Sequence, residues 1–150
     1  MTGAAGAGSL RRVPEALRTT SRSDLAEIAR IVAMFAAAEV CVRTMRLPTM
    51  ARLFGVRPVG PQTTPPIDSS EFPDWARHRV RLVERVSRHW PGDGPCLRKS
   101  LVMGQRLRSL DPALHVGVNG IDGVRAHAWV SVGGRSLDAE ARRFEELSWG

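Results

Sequence analysis

Three residues in the second half of the chain, Cys96, His127 and Asp138, have the side chains that nucleophilic acyl chemistry requires. A cysteine is a strong nucleophile only as its thiolate, and its pKa falls at a helix N-terminus, where unpaired N–H groups favour negative charge. A histidine beside it can take the thiol proton and later protonate a leaving amine, while a carboxylate fixes the imidazole tautomer. We therefore interpret Cys96 as a candidate nucleophile, His127 as its base and Asp138 as the orienting acid.

The residues around Cys96 predict where its thiol lies. The run WPGDGPCL at 90–97 breaks the chain with two prolines and two glycines just before a helical spacing of leucines begins. Cys96 is therefore predicted in the first turn of a helix, whose free N–H groups could also hold the oxyanion of a tetrahedral acyl intermediate. The alternative is a small buried cysteine that only packs, which is our interpretation of Cys41 on its apolar helix.

Alternating apolar residues after position 113 predict an antiparallel meander. A spacing of two gives a first strand from Leu114 and a second strand over VRAHAWVSV at 124–132. Gly133-Gly134 is typical of a two-residue hairpin loop, and RSLDAE at 135–140 supplies the returning strand. The candidate histidine and acid therefore lie on neighbouring strands.

The hairpin loop also predicts how these strands pair. In its register, Trp129 faces Asp138, which lies on the diagonal from His127 and within reach of the imidazole. Glu140 would stand opposite His127 and is the reserve candidate for the acid, because a shift of one residue would put Asp138 on the other face. Trp129 shares the face of the pair, where it either shields the pair from water or only packs in the core.

The chain length predicts one compact domain, within which composition marks three parts. Residues 1–22 are expected to be a flexible tail, because they have little apolar periodicity. Residues 23–66 are expected to be helical and to end in a linker rich in proline, RPVGPQTTPP at 57–66, with no regular structure. Residues 67–150 would form the catalytic core.

Two helices are predicted before Cys96. The first should begin near Asp24, whose spacing from Glu27 is that of a capping box, and should end before Pro48. The second should run from about Pro73 to Trp90. The predicted buried stripes are Leu25, Ile28, Val32 and Phe35 in the first helix, and Trp75, Val80, Val83, Val86 and Trp90 in the second. Helices followed by an antiparallel meander predict an α+β fold.

Arginine supplies almost all of the positive charge. The chain has 22 basic residues, of which only Lys99 is lysine, and a net charge of +7, which is compatible with an anionic partner. Aromatic residues are only 5% and tyrosine is absent, which leaves few platforms for stacking bases and disfavours nucleic acid as that partner. The run from Arg77 to His89 is interpreted as a solvated helix face. Its functional alternative is to guide an acidic peptide or partner protein.

Other features disfavour metal sites, disulfide scaffolds and membrane spans. Two cysteines are too few for a disulfide framework or a four-cysteine zinc site, and they fit a reducing, cytoplasmic location. His78, His89 and His115 lack metal-ligand spacing with either cysteine, so no metal is expected. The apolar run at 31–42 is too short to span a membrane and predicts a buried helix, with peripheral membrane contact as the open alternative.

Three segments resemble the leader peptidases of lasso-peptide biosynthesis, which are small transglutaminase-like cysteine proteases. The segments are CLRKSLVMGQRL at 96–107, LHVGV at 114–118 and AHAWVSVGGRSL at 126–137, with Asp138 directly after them. The resemblance covers roughly residues 90–140 and includes the spacing between the three candidate residues.

The resemblance implies a papain- or transglutaminase-like fold in which Cys96, His127 and Asp138 form the catalytic triad of a peptidase. It also implies three partners: a precursor with a leader peptide, a small recognition protein that holds the leader, and an ATP-dependent cyclase. The chain has no P-loop, so ATP use is assigned to the cyclase and no cofactor is expected here. Two alternatives stay open, acyl transfer to an amine by the same residues and a non-catalytic basic interaction module.

Overall fold

The computed structural model describes residues 21–60, 65, 71–92, 95–120 and 125–146, which form helices around a small sheet. Residues 1–20 of the predicted tail at 1–22, most of the predicted linker and the predicted turn at 121–124 lie outside the described residues, whereas Ser21 and Arg22 belong to the start of α1. The helices are α1 (Arg22–Thr44), α2 (Leu47–Leu53), α3 (Asp74–Ser87) and α4 (Cys96–Arg106), with short 3-10 helices at Arg108–Leu110 and Ala139–Arg143. The strands are β1 (Arg57–Pro58), β2 (Ala113–Asn119), β3 (Arg125–Val132), β4 (Arg135–Ser136) and β5 (Glu145–Glu146).

The sheet is built around the long β2–β3 pair. Its strand order is β1-β2-β3-β4, and β5 pairs with β2 beyond the short parallel contact of β1. The β3–β4 hairpin has the register that the two-residue loop predicts, with Val132 opposite Arg135. Gly133 and Gly134 both have positive φ, 60° and 74°, which is the conformation that such a loop requires.

Helix α4 is the centre of the molecule. It packs on β2 and β3 with one side and contacts α1 and α3 with the other. Its residues Leu101, Val102 and Met103 are buried in the core. The buried hydroxyl of Ser100 donates a 2.9 Å hydrogen bond to the Ala128 carbonyl, which fixes α4 against β3 one helical turn after Cys96.

Two partly buried ion pairs join α1 to α4. Arg106 donates a 2.7 Å hydrogen bond from Nε to Glu27, and Arg98 pairs with Glu39 just over three turns further along α1. The spacing of Asp24 and Glu27 predicts a capping box, but this prediction is wrong, because Glu27 pairs with Arg106 and the N-cap is Ser21. Helix α1 begins earlier, at Arg22, because the Ser21 hydroxyl caps it.

The buried stripe of α1 differs from the predicted stripe. Phe35 is buried as predicted, but Leu25 and Val32 are exposed and Ile28 is only partly buried. The residues of α1 that enter the core are Ile31, Phe35, Ala38 and Cys41. Because α1 is apolar on more than one face, periodicity alone does not decide which face packs. Helix α1 ends before Pro48, as predicted.

Two further predictions for the first half are wrong in part. Trp75, predicted in the buried stripe of α3, is exposed, with the Arg79 guanidinium over its ring. Leu82, which is not part of the predicted stripe, is buried. The predicted irregular linker begins with a strand, since Arg57 and Pro58 pair with Ala113 and Leu114 of β2. A proline is tolerated there because β1 is an edge strand.

The α+β class predicted from the sequence is confirmed, with helices preceding a mostly antiparallel sheet. None of the helices in the described ranges is long and apolar enough to cross a membrane.

Gly104 tests the packing of α4 against the segment after α2. A Cβ at this position would lie 2.6 Å from Val56 Cγ2, and Val56 is itself buried. We expect Gly104→Ala to lower the free energy of unfolding by about 1–3 kcal/mol, although alanine is the better helix former. Urea unfolding of the two single variants and of the double variant with Val56→Ala measures the coupling. An equal cost of Gly104→Ala in both backgrounds would contradict this packing.

Candidate active site

Cys96 is the first residue of α4, as the sequence predicts. Pro95 is the N-cap and the carbonyl of Pro95 accepts from the Lys99 N–H at 2.8 Å, so the N–H groups before Lys99 have no partner inside the helix. The thiol is partly buried, and hydrogen bonding from the backbone N–H groups of Ala128 on β3 and Leu97 in this first turn lowers its pKa. The sulfur therefore lies in a cradle of backbone donors from two elements.

Asp138 is held by the backbone that follows β4. This strand ends at Ser136, and the Asp138 N–H donates to the Ser136 hydroxyl at 3.0 Å. Asp138 then caps the 3-10 helix, because its Oδ1 accepts from the Glu140 N–H at 2.8 Å. Its other oxygen, Oδ2, is left free to turn towards β3.

The structure brings Asp138 and His127 together. Asp138 Oδ2 is 2.9 Å from His127 Nε2, and the side chains of both residues are mostly buried. His127 lies on β3 opposite Gly117 of β2. The returning strand is predicted to run to residue 140, but it ends at Ser136. Asp138 still reaches the imidazole, because it lies at the N-cap of the 3-10 helix that follows.

Cys96 completes a line of three groups. The side chains of Cys96 and His127 shift each other's pKa through hydrogen bonding, the pKa of the thiol downwards and that of the imidazole upwards. Since Nε2 of the imidazole is engaged by Asp138, Nδ1 is the ring nitrogen available to the sulfur. The imidazole therefore lies between sulfur and carboxylate, and each of its nitrogens has a partner that is able to carry negative charge.

The electrostatics of the site follow from this line. The hydrogen bond from His127 lowers the pKa of the Cys96 thiol, assisted by the Ala128 and Leu97 N–H groups and opposed by burial. The hydrogen bonds to Asp138 and then to Cys96 raise the pKa of His127 from 6.5 to about 9. His127 in turn lowers the pKa of Asp138. The lowered pKa of Cys96 and the raised pKa of His127 both favour a thiolate–imidazolium pair over a neutral thiol beside a neutral imidazole.

Aromatic rings fix the plane of the His127 imidazole. Trp129 stacks on it at a centroid distance of 5.9 Å, and Phe144 stacks on it at 4.8 Å. Trp129 is almost fully buried and stacks in turn on the buried ring of His115, at 5.5 Å. His115 Nε2 is 2.7 Å from the Ser131 hydroxyl, which anchors the far end of the stack. Trp129 thus contacts the candidate pair and also packs in the core.

His115 and Phe144 are the residues near the site that sequence reasoning missed. His115 pairs directly with Trp129 across β2 and β3, so the alternation of the two strands carried the signal that their rings meet. Phe144 follows the 3-10 helix at 139–143, a segment whose residues have no periodic apolar pattern.

Glu140, the reserve candidate for the acid, does not face His127. It is exposed in the 3-10 helix, because the chain leaves the strand after Ser136 and opposite residues no longer continue the hairpin ladder. Cys41 is buried on α1, far along the chain from the site, as its packing interpretation predicts. Within the described part of the chain, no cluster of His, Cys, Asp or Glu could hold a metal ion.

The comparisons with known proteins agree with this architecture. The family sequence model of the transglutaminase-like superfamily matches residues 40–148, a range that contains Cys96, His127 and Asp138. Searches of curated proteins and of solved structures give no significant match. The matched range covers well over half of the chain and includes the complete sheet with α2, α3 and α4. The chain therefore belongs to the transglutaminase-like superfamily.

Proposed function

We propose that this protein is a cysteine peptidase that removes the leader peptide from a ribosomally made precursor of the lasso type. The observation that carries the proposal is the line of hydrogen bonds from Cys96 through His127 to Asp138, with the sulfur at a helix N-terminus. Membership of the transglutaminase-like superfamily supports cysteine acyl chemistry. The substrate class rests on the resemblance of residues 90–140 to lasso leader peptidases.

In the first half of the proposed reaction, the Cys96 thiolate attacks the carbonyl carbon of the scissile peptide bond. The carbonyl π electrons move to oxygen, and the first-turn N–H groups of α4 are placed to stabilise the oxyanion. Collapse of this intermediate breaks the C–N bond, and His127 gives its proton to the leaving amine. The leader remains bound to sulfur as a thioester, and the core peptide leaves with a free amine.

In the second half, water resolves the thioester. Neutral His127 takes a proton from water while the water oxygen attacks the thioester carbonyl, and the C–S bond breaks. The products are the original thiolate beside imidazolium and the leader with a free carboxylic acid, which releases its proton to solvent and becomes a carboxylate. Asp138 acts throughout by holding the imidazole in one tautomer and by stabilising its positive charge.

The proposed function requires partners that act before and after this step. A small recognition protein would hold the leader, and an ATP-dependent cyclase would consume the free amine of the core. Cytoplasmic action fits these partners, since the precursor and ATP are both available there.

Replacing the nucleophile tests the reaction. We expect Cys96→Ala to abolish cleavage of a precursor peptide, assayed with its recognition protein by mass spectrometry of free leader and free core. Cys41→Ala is the matched control, because it removes a thiol from the core of α1 and leaves the site intact. Both variants should keep the circular dichroism of the native protein. Cleavage by Cys96→Ala at the native rate would contradict the proposal, as would an amide-linked product with an added amine in place of free leader.

Replacing the acid tests the charge distribution through pH. Native activity should rise as the Cys96 thiolate forms and should fall as pH passes about 9, where His127 loses its proton. Asp138→Asn removes the largest influence that raises the His127 pKa, so the alkaline limb should move to lower pH. The value of kcat/KM should fall by up to about 10⁴-fold.

The exposed neighbour Glu140 provides the control for this pH profile. Glu140→Gln removes a carboxylate of the same chain segment that does not contact His127, so its profile should match that of the native protein. An unmoved alkaline limb in Asp138→Asn, or an equal shift in Glu140→Gln, would show that Asp138 does not orient and charge the imidazole.

A further inference from the structure

A polar cleft lies between the start of α1 and the second half of α3, apart from the thiol. Its volume is about 370 Å³, which is within the range of pockets that hold small ligands or a few side chains. It is lined by Asp24, His78, Arg81, Leu82, Glu84, Arg85 and Arg88. Two of the lining residues, Asp24 and His78, are joined by a 2.9 Å hydrogen bond.

Three arginines of this cleft have no acidic partner among the described residues. Arg77 and Arg79, on the first half of α3, pair with Asp74 and Glu27. The cleft arginines, Arg81, Arg85 and Arg88, form no such ion pair within the described ranges, although they lie along one helix face at intervals of four and three residues. Unpaired guanidinium groups that converge on one cavity are suited to bidentate contact with carboxylates.

The lining favours a peptide over a nucleic acid. The carboxylates of Asp24 and Glu84 would repel a continuous phosphodiester chain, whereas a peptide can place acidic and polar side chains alternately. The lining contains no Trp, Tyr or Phe ring on which a base could stack.

The cleft adjoins the candidate active site. Glu84 lines the cleft and also lines a second, narrow cavity together with Lys99, Trp129 and Asp138. A peptide bound along the arginine face of α3 would therefore continue towards the Asp138 side of the site.

We propose that the cleft of Arg81, Arg85 and Arg88 is a docking site for a peptide segment rich in Asp or Glu. We further assign that segment to the leader of the precursor, an assignment that rests on the proposed function. The +7 net charge of the chain would draw an acidic segment towards it, and the converging arginines would fix its position.

Direct binding tests the docking site without any cleavage. A fluorescein-labelled synthetic peptide of alternating Glu and Ser is titrated with the full chain carrying Cys96→Ala, and fluorescence anisotropy is read. The same peptide with Gln at every Glu position serves as the uncharged probe. The Glu peptide should bind and should weaken with added salt, while the Gln peptide should not bind.

Paired arginine variants locate the contact. Arg81→Ala with Arg88→Ala should weaken binding of the Glu peptide by about tenfold or more. Arg52→Ala with Arg108→Ala removes the same charge from two exposed arginines outside the cleft and should weaken binding by less than about twofold. Equal losses in the two double variants would overturn the docking site. Equal binding of the Glu and Gln peptides would also overturn it. The same holds if a labelled single-stranded oligonucleotide binds more tightly than the Glu peptide and the cleft variants weaken its binding as much as they weaken binding of the peptide.

The docking site and the proposed function fail in different ways. Binding of the Glu peptide that depends on the cleft arginines, together with native cleavage by Cys96→Ala, would contradict the peptidase mechanism and support the docking site. Native cleavage of the precursor with no binding of the Glu peptide would overturn the docking site alone.

Discussion

The hydrogen bond between His127 Nε2 and Asp138 Oδ2 is the interaction on which the site depends. It fixes which imidazole nitrogen faces the sulfur, and it stabilises the positive charge that makes a neighbouring thiolate favourable. Without it, the thiol would keep its cradle of backbone N–H groups but would lose a charged partner within the half-buried site. The carboxylate is itself constrained, because one oxygen caps the 3-10 helix and only the other reaches the histidine. The aromatic rings of Trp129 and Phe144 then hold the imidazole in the plane that both partners require.

The rest of the fold supplies the rigidity that this line of groups needs. Cys96 begins α4 and His127 lies on β3, and the buried Ser100–Ala128 hydrogen bond joins these two elements. The sulfur and the imidazole are therefore positioned by the packing of one helix against one strand. Helix α4 is in turn held by the ion pairs of α1, which lies more than fifty residues earlier in the chain. The first half therefore acts as a support for α4, and its exposed arginines on α3 extend the surface beside the site.

The parts of this structure that could be predicted from the sequence are those fixed by neighbours in the chain. The Pro-Gly run places Cys96 at a helix start, and the Gly133-Gly134 loop determines the hairpin register, because both depend on backbone conformation over a few residues. The end of β4 escaped prediction because the Ser136 hydroxyl, a side-chain contact, turns the chain away from the ladder. The buried face of α1 and the pairing of Arg57 with Ala113 escaped it because they depend on partners distant in sequence. Residue type and local geometry together predict that Cys96, His127 and Asp138 lie near one another, whereas no local pattern predicts the contact of Phe144 with His127.

We expect folding to make Cys96 a thiolate at neutral pH by placing it beside a charged His127. The most direct measurement is the rate of iodoacetamide alkylation of Cys96 and Cys41 as a function of pH, read by peptide mass spectrometry in the native protein and in His127→Ala. We predict fast, selective labelling of Cys96 at neutral pH that is lost in His127→Ala, while buried Cys41 stays slow in both proteins. Equal labelling of the two cysteines in the native protein, or Cys96 labelling unchanged by His127→Ala, would contradict the account.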